Sequence, residues 1–208
     1  PRACRRATWT PLTMPYGTLL PPITAQQSLD AKVKNIIELG LDFSAMTRVF
    51  AEGSYDPIAE RLEVFVSKLR CVGHNEEYEH LHADFCQWFT ERICTAKKQF
   101  KNGTSRPSCP CSYGQAAKVL DVAGKVYVYY CGLPSAEIAN RLVPLLHAAL
   151  DTKMMLHLGV SATLMEIDRR AYADLQARVV RAIGNSGIYP VQYDDVIWRQ
   201  LNRSPAKT

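Results

Sequence analysis

The chain has 208 residues, 47% of them apolar and 22% charged, with a formal charge of +5. These totals match ordinary globular usage and exclude a wholly disordered or fibrous chain; the mild basicity permits an anionic partner without demanding one. No apolar run approaches the roughly 20 residues needed to cross a bilayer as a helix, so no membrane association is expected.

Residues 1–27 read as an extended Pro-rich arm: PRACRRATWTPLTMPYGTLLPP is basic but lacks the continuous apolar core of a signal peptide. The rest, 28–208, reads as one helical domain. Ser28 is placed to cap a segment carrying Val33, Ile36 and Ile37, with Gly40 as its stop. A second segment is expected from Asp42 or Ser44, on Phe43, Met46, Val49 and Phe50 at helical spacing, closed by Gly53. Asp56-Pro57 reads as a cap followed by proline at the first helical position, with Ile58, Leu62, Phe65, Val66 and Leu69 as the buried stripe. Asn75 is placed to cap a long helix with Glu76 and Glu77 in its first turn and Lys97, Lys98 and Lys101 near its end, an order that suits the helix dipole. Trp88 follows the apolar stripe of that helix and reads as core. A basic loop follows, from Asn102 to Cys111 and including Arg106.

Ser112 opens a helix reaching Tyr130 or Cys131, in which only Val126–Tyr130 looks strand-like. Gly124, in mid-helix, is expected to permit a close approach by another helix. Ser135 caps the next helix, which stops near Pro144. Asp151 caps a short one ended by Gly159. A helix covers 167–183, ended by Gly184, and the last runs from about Asp194 to Arg203. The seven cysteines are irregularly spaced, and Cys71, Cys86, Cys94 and Cys131 fall inside apolar helical patterns. That usage suits free thiols in a reducing compartment, which points to the cytoplasm. His80-Leu81-His82 with Cys86, and Cys109-Pro110-Cys111, offer metal-ligand residue types without paired CxxC or HxxxH spacing, so neither a metal nor another cofactor is expected.

Within the helix from Ser112, the residues Gln115, Lys118, Val122, Lys125 and Tyr129 form one stripe, which faces either water or a cleft. A carboxylate at a helix start, such as Asp151, is held rigidly enough to face a developing cation. The segment GQAAKVLDVAGKVYVYYCGLP (114–134), followed by LLHAALDTKMMLHLGV (145–160), resembles the catalytic core of the helix-hairpin-helix DNA glycosylases, and within them the archaeal 8-oxoguanine branch. The likeness implies an all-α, two-lobed fold with a central cleft and a catalytic core at about 112–160. It also implies a lysine early in one helix and an aspartate opening the next short one. Lys118 and Asp151 occupy those places, 151 − 118 = 33 residues apart. The departures are Tyr113-Gly114-Gln115 where the family's glycine-rich hairpin stands, and Ala149-Leu150 where a proline often precedes the aspartate.

The chemistry implied is excision of a flipped base from double-stranded DNA, leaving an abasic site. Asp151 would stabilise positive charge on the sugar. Lys118, or alternatively Lys125, would attack as a neutral amine, or would stay charged while water attacks. Tyr113, Gln115, His147, Tyr193 and Trp198 are the candidates for base recognition, and Lys97, Lys98, Lys101 and Arg106 for phosphate contact. The expected protein is a cofactor-free monomer. Its substrate is either an oxidised purine in repair or a bulky modified cytosine, such as glucosylated hydroxymethylcytosine, in phage defence. The rival reading is a non-catalytic helical DNA-binding or adaptor protein.

Overall fold

The computed structural model describes residues 23–99, 101 and 103–202, so most of the Pro-rich arm and Arg203 lie outside the described residues. Nearly all the ordered backbone there is helical. No described helix is long and apolar enough to cross a membrane.

Helix α1 (Ala25–Phe43) starts earlier than the sequence suggests: Thr24 is its cap, and Gln27 reaches back to the Thr24 backbone to complete a capping box. It also runs through Gly40 instead of stopping there. A Cβ at Gly40 would lie 2.8 Å from Ala123 Cα, so this glycine is where α1 crosses the central helix. The helix expected from Asp42 or Ser44 is replaced by turns. Ser44 Oγ donates to Leu41 O at 2.6 Å, and Ala45 takes a positive φ of 57°, which breaks helical continuation. Met46 and Phe50 are still buried.

Helix α2 (Tyr55–Lys68) is entered from Ser54, with Pro57 at its third position. Its missing N–H falls among the first-turn amides that have no intrahelical acceptor, so proline is tolerated there. Helix α3 (Asn75–Arg92) is capped from His74, with Glu77 Oε2 accepting from Gly73 N at 2.6 Å and His74 N at 3.2 Å. Because α3 ends at Arg92, the lysines expected near its end lie beyond it. Lys98–Gln99 (β1) instead pairs antiparallel with Ser105–Arg106 (β2) in a short hairpin.

Helix α4 (Tyr113–Gly124) begins at Ser112, whose Oγ accepts from Gln115 N while Gln115 Oε1 accepts from Ser112 N. It packs against both α1 and α3 and is buried almost all round. The strand-like Val126–Tyr130 belongs to a π-helical turn, Lys125–Tyr130, that prolongs α4. Gly124 is not a crossing point, since a Cβ there would meet only Leu146 Cδ2 at 3.9 Å. Gly114 is one: its Cβ would fall 2.6 Å from Ile167 Cβ, seating the start of α4 against the turn at Leu164–Glu166.

Helix α5 (Ala136–Leu142) is capped by Ser135 and passes into a 3-10 turn, Val143–Leu145, that contains Pro144. After the extended stretch 146–150, Asp151 caps α6 (Thr152–His157), its Oδ1 accepting from Met154 N at 2.8 Å. Helix α7 (Arg169–Ile183) runs from the cap Asp168 to Gly184. Helix α8 (Pro190–Asn202) begins four residues before Asp194, with proline at its first position. Apolar side chains from Ile36 in α1 to Ile197 in α8 form one continuous buried cluster. The six described cysteines are free thiols. Cys86 is buried and Cys94 half-buried, as expected of core thiols, whereas Cys71 and Cys131 are exposed.

Candidate functional site

Two groups of chemistry-bearing side chains stand out, each built partly on α4. The first lines a pocket of about 340 Å³ formed by Phe43, Lys118, Val122, Lys125, Val126, Tyr130, Ala149, Asp194, Asp195 and Trp198. Its centre is Lys125, only 8% exposed, whose Nζ lies 2.7 Å from Asp194 Oδ2 and 2.5 Å from Asp195 Oδ1. Tyr130 closes the far side. Its hydroxyl donates to Asp195 Oδ1 at 2.6 Å, and Lys125 Nζ sits 5.6 Å from its ring centroid.

Burial works against the charge on Lys125, but the two carboxylates outweigh it and hold the ammonium above the ordinary lysine range. Lys125 is therefore a fixed cation, which removes it as a neutral nucleophile. Burial raises the Asp194 carboxyl above its ordinary range, with Lys125 and Lys118 pulling the other way. Burial prevails for Asp194 because it shares its main counter-charge with Asp195. A carboxyl of raised proton affinity in a pocket beside a second carboxylate is the arrangement from which general acid–base chemistry is built. Lys118 is half-buried on the same wall, and Trp198, 54% exposed, stands at the rim with its ring available for stacking.

Asp151 is half-buried and holds its capping bond. It follows Ala149, a lining residue, by two positions but is not itself among the described residues lining this pocket. The structure therefore brings Lys118, Lys125 and Trp198 together and adds Asp194, Asp195 and Tyr130.

Tyr113 and His147 belong to the second group, not to this pocket. They line a recess of about 410 Å³ with Glu79, Arg169, Tyr172 and Gln176 among others. Behind it lies a buried polar cluster. The Tyr172 hydroxyl donates to Asp121 Oδ2 at 2.8 Å and stands 2.9 Å from His147 Nδ1 and 3.2 Å from His82 Nε2. His82 Nε2 is also 3.1 Å from Asp121 Oδ1, with both side chains sealed from solvent. On the outer side, His147 Nε2 is 2.8 Å from Glu79 Oε1, and this bond holds the Glu79 carboxyl below its usual range. His82 Nδ1 faces Tyr113 Oη at 3.4 Å and Cys86 Sγ at 3.7 Å. Burial, with the Asp121 charge behind it, keeps the Tyr172 hydroxyl protonated, and burial likewise pushes the Cys86 thiol well up, so that Cys86 is no nucleophile.

The remaining sequence candidates are dispersed. Gln115 is 2% exposed, and its amide is committed to the α4 cap instead of facing a base. Tyr193 Oη bonds His157 Nε2 at 3.0 Å, outside both recesses. Lys97, Lys98 and Lys101 are exposed around the hairpin, while Arg106 is half-buried with its Nη1 3.0 Å from Met165 Sδ. His80 is exposed and takes no part in the cluster around His82, and Trp88 packs on Phe85 and Phe89 as expected.

Asp194, Asp195, Asp121 and Tyr172 were not singled out by sequence reasoning as site residues. A signal existed for the two buried carboxylates: Asp194 interrupts the stripe Val191, Asp194, Ile197, and Asp121 the stripe Ala117, Leu120, Asp121, Gly124. Comparison with models of known families, with curated proteins and with solved structures returned no match.

Proposed function

We propose that the chain is a DNA glycosylase that works in the pocket between α4 and α8, excising a flipped modified base to leave an abasic site. The observation that carries this reading is that Lys118, the lysine assigned by the resemblance of 114–160, shares one pocket with the buried carboxyl of Asp194 and the rim ring of Trp198. A pocket of about 340 Å³ falls within the range that small ligands occupy. In this scheme Trp198 stacks on the extruded base. Asp194 or Asp151 supplies the carboxylate that faces positive charge building on the sugar as the glycosidic bond lengthens. Lys118 either attacks the sugar carbon as an amine or positions the attacking water. Lys125 holds Asp194 and Asp195 apart in fixed orientation. The substrate stays between an oxidised purine and a glucosylated hydroxymethylcytosine.

One observation favours a second reading, a non-catalytic helical DNA binder: Lys125 is so fully neutralised by Asp194 and Asp195 that the triad also serves as a purely structural tie between α4 and α8.

The deciding experiment incubates the full chain with DNAs carrying 8-oxoguanine, uracil, alkylated bases or glucosylated hydroxymethylcytosine and scores abasic sites by alkaline cleavage. Abasic sites on one substrate are expected. They should fall by about 10²–10⁴-fold in Asp194→Asn or Asp151→Asn, whichever holds the working carboxylate. Asn keeps the cap on α6, so loss in Asp151→Asn reports chemistry and not folding. A borohydride-trapped adduct lost in Lys118→Ala establishes the amine route. DNA binding without abasic sites on any substrate overturns the enzyme reading in favour of the binder.

A further inference from the structure

The buried cluster behind the second recess poses a hydrogen-bonding problem that protons solve awkwardly. Tyr172 gives its only proton to Asp121, so its oxygen faces His147 Nδ1, 2.9 Å away, as an acceptor. His147 Nε2 faces the Glu79 carboxylate, so a single ring proton placed there leaves Nδ1 as a lone pair toward Tyr172. Two lone pairs then face each other at the recess wall unless a second ring proton or a metal cation lies between them. His82 points its Nε2 at the same spot, beside Asp121.

We propose that His82, Asp121 and His147 bind a divalent first-row transition metal ion through His82 Nε2, His147 Nδ1 and an Asp121 carboxylate oxygen. One donor atom from each of the three residues lies within 4.8 Å of the others. Two imidazoles and one carboxylate suit zinc, iron, cobalt or nickel better than calcium or magnesium. Donors sharing one such ion at about 2.1 Å stand roughly 3.0–3.4 Å apart for right-angle to tetrahedral arrangements. His82 Nε2 and Asp121 Oδ1 stand 3.1 Å apart and the His147 donor lies within 4.8 Å of them, so binding requires an adjustment of the His147 ring and of the Tyr172 hydroxyl, which contacts all three residues at 2.8–3.2 Å. The outer contacts fit as well. Glu79 on His147 Nε2 is the carboxylate that commonly fixes a metal-bound histidine, and Tyr113 faces the far nitrogen of His82. A dication also neutralises the Asp121 and Glu79 carboxylates together. The site ties α3, α4 and the stretch after Leu145 to one point, with Tyr172 of α7 against it, and the recess lined by His147 and Tyr172 gives the ion its entry. This assignment does not depend on the glycosylase reading.

The test loads the untagged full chain with Co²⁺ or Zn²⁺, removes loose metal by desalting, and measures bound metal by elemental analysis and, for Co²⁺, by visible absorption. The native chain is expected to retain one ion, and the cobalt form to show ligand-field bands. Asp121→Asn and His147→Gln, confirmed as folded by circular dichroism, are expected to retain none. Should Asp121→Asn fail to fold, His147→Gln decides alone, since that ring sits at the recess wall. No retained metal on the native chain overturns the proposal and makes His147 the doubly protonated partner of Tyr172 and Glu79. Equal retention by the variants overturns it too, by placing the ion elsewhere, for example at Cys109 and Cys111.

Discussion

Lys125 carries a charge that its surroundings would reject if it stood alone. At 8% exposure, its ammonium persists because two carboxylates lie within 2.7 Å. Removing it leaves Asp194 and Asp195 side by side without their main counter-charge. Lys125→Met is therefore expected to destabilise the fold by about 3–5 kcal/mol, and Asp194→Asn in the same chain should restore part of that loss; denaturant unfolding measures both. The pH dependence follows from the direction of the shift. The folded-state value of Lys125 is raised, so its stabilisation is complete below the ordinary 10.5 and is lost as pH climbs through the higher folded value. The difference in melting temperature between the native chain and Lys125→Met should stay constant from neutral pH up to about pH 10.5 and narrow above it.

Among the elements, α4 decides the arrangement, because it is buried on nearly every side and reaches both recesses. Two of the glycines that shape its surroundings behave oppositely. At Gly40 an added Cβ would strike the Ala123 backbone at 2.8 Å, and backbone yields little. Gly40→Ala is expected to cost about 1–3 kcal/mol by forcing α1 off α4. At Gly124 the added methyl meets only a flexible leucine end at 3.9 Å in helical backbone. Gly124→Ala is expected to stabilise by up to about 1 kcal/mol through the lost entropy of the unfolded chain. Thermal unfolding of the two variants beside the native chain checks both signs. If Gly124→Ala destabilises instead, the helix passes closer to Leu146 than its geometry indicates.

At the scale of the whole molecule, one hydrophobic cluster among the described residues joins α1 to α8. The described residues should therefore unfold as one cooperative unit, with circular dichroism and tryptophan fluorescence giving coincident transitions. Separate transitions would show that α7 and α8 form an independent unit. The same helix, α4, carries Lys118 of one polar group and Asp121 of the other. The α4–α8 pocket and the recess at His147 share no lining residue among those described.

Helical class, the caps at Ser112, Ser135 and Asp151, the ends near Gly159 and Gly184 and the core character of Trp88 were determined by local sequence. Periodicity and capping involve residues within four positions of each other. The starts of α1, α2, α3 and α8 were misplaced by one to four residues, because several polar residues near each start are competent caps and packing chooses among them. Long-range packing alone decided the rest. It let α1 pass through Gly40, made Val126–Tyr130 a π-turn, and placed Lys118 with Asp194 across 76 residues of chain (194 − 118). It also sent Tyr113 and His147 to a different recess and drew Asp121, His82 and Tyr172 into one buried cluster. A sequence shows which side chains a helix turns inward, but which helix meets them is set by the single packing that closes the core.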